Sequence, residues 1–248
     1  MKKIFLYILA GSLCFSACKK DDVIDYYVEP EDINVQNNYD IQAIKKFMDE
    51  NYLDAQGNIK AFSATDTADD NEKKLSDLDY KTLPSGTIYI MRNGAQPSTT
   101  DAQPITEKSV IKIMGRGYSY LATDNNGSVV FTAKSAFLNT IDGITLPLVD
   151  PMYFYVKQSV LDAATTDAAK QRSYYEIAGF KEALQIFSGF NDLPSETSYN
   201  LQGVIIVPSK AAFARNAHYQ YLGQSYRNKS FVFNFQIYGS KTRPAGQD

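Results

Sequence analysis

The chain has 248 residues, and its 25 basic against 28 acidic side chains give a formal charge of −3. That balance argues against nucleic acid, which rewards a basic surface, while 44% hydrophobic residues are enough to build a buried core. The 18 Tyr and 14 Phe, with no Trp, suit β structure and apolar grooves.

Lys2 and Lys3 open the chain, Ile4 to Phe15 is an apolar run, and Phe15-Ser16-Ala17-Cys18 ends it. A basic head, an apolar middle and small residues before a cut make residues 1–17 a secretory signal peptide. The run is shorter than the roughly 20 residues a membrane span needs. The Cys directly after Ser16-Ala17 resembles the lipobox of bacterial lipoproteins. That resemblance implies a mature chain that starts at a lipidated Cys18 and is anchored in the outer membrane. The alternatives are a soluble secreted protein and an uncleaved anchor. Cleavage removes Lys2, Lys3 and Cys14, leaving 23 basic against 28 acidic residues, a net charge of −5. With Cys18 acylated, no thiol remains for a disulfide, a nucleophile or a thiolate metal site. Residues 18–39 read as a polar, acidic tether. Within it, Lys20-Asp21-Asp22 resembles the signal that moves some lipoproteins to the outer face of the outer membrane, so cell surface and periplasmic face both stay open.

Asp40 is placed to cap a helix whose apolar stripe is Ile41, Ile44, Phe47 and Met48, with Tyr52 one turn on and Gln56-Gly57-Asn58 as its stop. Residues 63–80 read as a loop. Short strands are expected at 87–91, 110–114, 118–122 and 128–131, the last two joined by the hairpin turn Asp124-Asn125-Asn126-Gly127. Residues 95–108 and 134–150 read as irregular, Met152 to Lys157 as a strand, and 159–172 as helix or loop. Phe180, Ala183, Leu184 and Phe187 share a face of a short helix that Gly189 ends. Gly203 to Val207 is a buried strand stopped by Pro208. Ser230 to Ile237 is the final strand, with Phe231, Phe233, Phe235 and Ile237 on one face and Val232, Asn234 and Gln236 on the other. Many short strands with few helices make an α+β layout.

The last third resembles the FKBP-type peptidyl-prolyl cis-trans isomerases. The residues that carry this are Ile177-Ala178-Gly179-Phe180-Lys181-Glu182-Ala183-Leu184, then Gly189, then Ile206-Val207-Pro208-Ser209-Lys210-Ala211-Ala212-Phe213-Ala214, then Phe231 to Ile237. Farther back, Pro84 to Ile90, Val110 to Gly115 and Asn126 to Phe131 are similar, more loosely, to the opening strand, first core strand and hairpin of bacterial members. The resemblance implies an antiparallel sheet wrapped around one short amphipathic helix, preceded by an N-terminal leader helix. It divides the chain into a signal peptide (1–17), a tether (18–39), a helical and loop segment (40–83), an FKBP-like domain (84–241) and a tail (242–248).

Prolyl isomerisation needs no metal and no cofactor. Its barrier of about 18–20 kcal/mol is the partial double bond. A dry aromatic groove that twists the bond lowers it. The resemblance implies a groove with Phe180 as floor, flanked by Ile177, closed by Phe233 and walled by Phe131 (or Val130) and Phe213. Ile113 stands at the position of a family Tyr, Phe213 at that of a Tyr donor, and Thr132 at that of an Asp. These losses imply weak or lost catalysis and a module that binds a protein or peptide partner in the envelope. The same residues also fit a plain core. Two further readings stay open, an active isomerase and chaperone for secreted proteins and a surface carbohydrate-binding lipoprotein resting on Tyr219, Tyr221 and Tyr226. These tyrosines either stack on a ligand or pack over the groove. The only histidine, His218, reads as a solvated loop residue.

Overall fold

A computed structural model describes residues 27–143 and 146–248. Cys18, the signal peptide and Lys20-Asp21-Asp22 lie outside the described residues. The elements are α1 (Ile33–Asp49), β1 (Asn51–Leu53), β2 (Ile59–Ala61), β3 (Tyr80–Thr82), β4 (Ile88–Met91), β5 (Gln103–Pro104), β6 (Val110–Asn125), β7 (Ser128–Asn139) and β8 (Leu148–Val149). They continue with α2 (Gln158–Asp162), α3 (Ala178–Leu184), β9 (Ser188–Gly189), β10 (Gly203–Val207) and β11 (Lys229–Lys241).

One antiparallel sheet dominates, in the order β3-β4-β10-β11-β6-β7, with β8 on β6. The central strands β10 and β11 are buried on both faces, which explains why β10 is apolar at every position after Gly203. On one face Phe231, Phe233, Phe235, Ile237, Ile205, Val207 and Ile113 pack against Phe180, Ala183 and Leu184 of α3. On the other face Val232, Val204, Ile206, Ile90 and Tyr120 pack against Ile44 and Met48 of α1. The α+β class follows from this arrangement of a large antiparallel sheet and few helices.

The first helix starts earlier than its apolar stripe suggests. Asp32 is the N-cap and accepts the Asn34 amide at 2.8 Å, the bond that favours Asp at this position. Asp40 is instead fully buried, and Ile41, expected on the stripe, is 60% exposed. The buried line is Gln36, Asp40, Ala43, Ile44 and Met48, a helical stripe with two polar members. Residues 51–53 are not helical but form β1, paired with β2.

Other elements differ in extent. Residues 110–125 form one long strand rather than two. β7 runs on to Asn139, well beyond Phe131, through register shifts opposite Gly117–Leu121 and a left-handed Ala133 (φ 46°). Residues 63–80 hold two single-turn helices, 67–69 and 75–77, the second anchored by the fully buried Leu75. Residues 152–157 are not a strand, since Phe154 and Tyr155 both donate to the Pro151 carbonyl at 3.0 Å in a tight turn.

Candidate functional site: an aromatic chamber over the last strand

The site that the resemblance singles out lies on the α3 face of the sheet. Gly117 of β6 sits opposite Phe233 of β11, and a Cβ there would stand 3.1 Å from the Phe233 ring. The missing side chain lets Phe233 lie flat across β6. The Phe180 ring then settles on Phe233 with centroids 4.3 Å apart. Ile113, Ile177, Phe180, Phe213 and Phe233 all fall in this one cluster, each at most 1% exposed.

Phe131 does not join them. It packs on the opposite face, stacked on Tyr120 at 4.9 Å and near Phe47 at 5.9 Å. Its register, Phe131 opposite Ala122, fixes that side, and the irregularities farther along β7 bring Phe137 to the chamber instead. Phe137 contacts Phe231 at 5.0 Å, Phe233 at 5.7 Å and Tyr153 at 5.1 Å. Val130 pairs with Thr123 near the hairpin end. The Thr132 hydroxyl donates to the Leu121 carbonyl at 3.1 Å.

The residue that the sequence reading missed is Tyr153. Its ring stands edge-on to Phe180 at 5.6 Å and stacks on Phe233 at 6.0 Å. Its carbonyl accepts the Ile177 amide at 2.8 Å. The chain around it is pinned on both sides. Asp150 forms a two-pronged ion pair with the buried Arg243, the geometry that gives Arg–carboxylate pairs their directionality. Farther on, the Val156 amide donates to Glu176 at 3.0 Å, and Arg172 and Lys181 pair with the same carboxylate. The Tyr153 hydroxyl is buried without a hydrogen-bond partner. Burial pushes its titration well above the usual tyrosine range, so it stays neutral.

The loop after Phe213 roofs the chamber. His218 is not a solvated side chain, because its ring stacks on Phe213 at 4.9 Å. Its Nε2 accepts the Tyr226 amide at 2.8 Å, and its Nδ1 lies 2.8 Å from the Asn216 carbonyl. In this arrangement Nε2 serves as the acceptor and Nδ1 as the donor. The Tyr226 hydroxyl donates to the Tyr221 carbonyl at 2.7 Å and the Tyr221 hydroxyl to the Tyr175 carbonyl at 2.8 Å. Burial raises the titration of both, Tyr226 to about 12. Tyr221 and Tyr226 therefore pack into the roof, and Tyr219 stays partly exposed at 39%.

An open apolar groove lies elsewhere, between α1 and the sheet edge at β3. It has a volume of about 660 Å³ and is lined by Ile41, Ile44, Met48, Tyr80, Ile88 and Pro208, among others. No group of three or more His, Cys, Asp or Glu side chains among the described residues is placed to hold a metal ion. No helix among them is long and apolar enough to cross a membrane.

No family model matches the chain, and no curated protein does. Among solved structures, the chain is similar to a peptidyl-prolyl cis-trans isomerase from Pseudomonas syringae pv. tomato str. DC3000. The TM-score is 0.36 and the identity 11%, over 87% of this chain and 100% of that one.

Proposed function

We propose that this chain is an FKBP-like lipoprotein, anchored in the outer membrane through Cys18, that binds a protein or peptide partner in the bacterial envelope and has weak or lost prolyl isomerase activity. The observation that carries this reading is the filled chamber. A prolyl ring must enter an apolar groove before its imide bond can be twisted in a dry setting. Here Tyr153 covers Phe180, and Phe137, Tyr221 and Tyr226 crowd the same space. The polar groups that the family resemblance asks for at Phe213, Thr132 and Ile113 are absent from the sequence. Fold and catalysis are separable in this way because activity resides in the site.

Partner binding is supported by the groove beside α1, where Ile41 and Tyr80 expose apolar surface next to the short edge strand β3. An extended peptide segment suits this place, since it can add to a strand edge while its side chains fill an adjoining apolar groove.

The test is prolyl exchange of a Phe-Pro peptide. The uncatalysed reaction takes tens to hundreds of seconds, so modest acceleration is measurable. The expected result is a rate close to the uncatalysed one. A rate fully dependent on Phe180 and far above background would replace this reading with that of a working isomerase. For the binding half, Ile41→Glu is expected to abolish co-purification of an envelope partner that the unaltered lipoprotein retains after detergent extraction. Equal recovery with both forms would remove the groove from the proposal.

A further inference from the structure

On the α1 face of the sheet a second cleft opens, far from the chamber in chemistry as well as in place. It holds about 330 Å³ between the end of α1, the β1–β2 hairpin and strands β6, β7 and β11. Tyr118, Tyr120 and Val232 form an aromatic and apolar floor, and Phe47 a wall. Lys60, Arg116 and Lys134 are the charged side chains lining it, and no carboxylate does.

The three cations are not equivalent. Arg116 is already committed. Its Nε and Nη2 hold Asp142 at 2.8 and 2.6 Å, and its Nη1 donates to Asn58 at 2.7 Å. The floor amide of Asn234 is also spent, donating to the Gly57 and Gly203 carbonyls and accepting from Ile59. Lys134 is different. Its ammonium lies 4.1 Å from the centre of the Tyr118 ring, and among the described residues it has no carboxylate within ion-pair distance. Lys60 likewise has none. Asp142, held by Arg116, lies near enough for its charge to reach Lys60, so two ammonium groups without a direct ion pair face one aromatic cleft in a chain whose acids outnumber its bases.

From this juxtaposition we infer that the cleft binds a small organic anion built on a ring, of the aryl carboxylate or aryl phosphate class. On binding, the ring takes the place of the Lys134 ammonium over Tyr118, packs there against Phe47, and leaves its anionic group between Lys60 and the displaced Lys134. Lysine ammoniums are donors with no acceptor capacity, so they select acceptors that carry negative charge. Tyrosine faces favour a flat partner. The volume lies at the small end of ligand sites, which suits one ring with one anionic group. A nucleic-acid strand is disfavoured by the net negative charge of the chain.

The test is titration of the purified full chain with benzoate and with phenyl phosphate, followed by calorimetry and NMR, with benzylamine and benzyl alcohol as charge controls. Saturable binding of at least one anion is expected, weakening as salt is raised, and the stronger of the two names the anionic group. The Lys60→Ala/Lys134→Ala double variant should bind about tenfold more weakly, as for the loss of two exposed ion pairs. Both lysines are exposed, so its melting temperature should match that of the unaltered protein. Tyr118→Ala should weaken binding further while leaving the salt dependence in place. Benzylamine binding as well as benzoate, no saturation by either anion at millimolar concentration, or unchanged affinity in the double variant would each overturn the assignment.

Discussion

The ring of Tyr153 stands edge-on over Phe180, with the two centroids 5.6 Å apart. Tyr153 brings a hydroxyl into a space that offers it no acceptor. A buried hydroxyl left unpaired costs about 1–3 kcal/mol, and removing it while keeping the ring recovers that cost. Tyr153→Phe is therefore expected to stabilise the protein, measured as a higher urea midpoint with an unchanged m-value. A destabilised variant would show that the hydroxyl is hydrogen-bonded in solution. Tyr153→Ala, in contrast, should cost about 3–5 kcal/mol, as for other large aromatic truncations.

A second relationship ties α1 to the loop that follows β10. Asp40 accepts the Ser209 amide at 2.8 Å and a Gln36 side-chain N–H at 3.2 Å. Burial raises its titration above the ordinary 3.8, while the bonds from Ser209 and Gln36 pull the other way. The folded state therefore holds a proton that the unfolded state releases, across the pH range from 3.8 up to the raised folded value. Stability falls as pH rises through that range and stays lowered above it. Asp40→Asn removes the titration. The expected outcome is that the unaltered protein loses stability relative to Asp40→Asn as pH is raised from about 4 to 7, read from melting temperatures at matched ionic strength. Parallel pH profiles would mean that Asp40 ionises normally in the folded state.

The elements legible in the sequence were those with one clear period. β11 alternates Phe231, Phe233, Phe235 and Ile237 against polar or smaller residues, and α3 spaces Phe180, Ala183 and Leu184 along one face. Asp40 was misread because a lone acid before an apolar run looks like a cap. The signal that places it is the stripe Gln36-Asp40-Ala43-Ile44-Met48, which shows only when polar residues are allowed on a buried face. Met152 to Lys157 looked like a strand because an apolar run carries no period that separates a strand from a packed turn. The resemblance puts Phe131 in the groove, but its regular register opposite Ala122 turns it to the Tyr120 face, and the one-residue shifts that bring Phe137 to the chamber come only farther along β7. No feature of the β7 sequence marks those shifts. Tyr153 was lost with its segment, and with it the reason that the chamber is full.

Gly179, inside the Ile177-to-Leu184 block, offers a test of how tightly α3 is seated. A Cβ there would press into the Thr87 hydroxyl and stand 2.7 Å from Val207 Cγ1 and 3.0 Å from Ala211 Cβ. Alanine in a helix is favoured over glycine by about 1 kcal/mol, whereas overpacking a dense core costs about 1–3 kcal/mol. With side chains of β10 and of the residues flanking it in the way, overpacking should win. Gly179→Ala is expected to lower stability in chemical denaturation. A gain would mean that α3 can shift away from the sheet freely.

The anchor is tested at Cys18. Each buried CH₂ contributes roughly 0.8 kcal/mol, and one acyl chain holds a protein only reversibly, so lasting attachment needs more than one. A lipidated Cys18 would carry a diacylglycerol and an N-acyl chain, whereas serine accepts neither. Cys18→Ser should therefore move the protein from the membrane fraction to the soluble one, and retention after a high-salt wash would rule the anchor out. The same strain set resolves the leaflet. If Lys20-Asp21-Asp22 acts as an export signal, protease added to intact cells digests the unaltered protein and spares a variant in which Asp21 and Asp22 are replaced by alanine. Equal protection of both forms, while a known surface protein is cut, would place the domain on the periplasmic face, where its partner would then have to be sought.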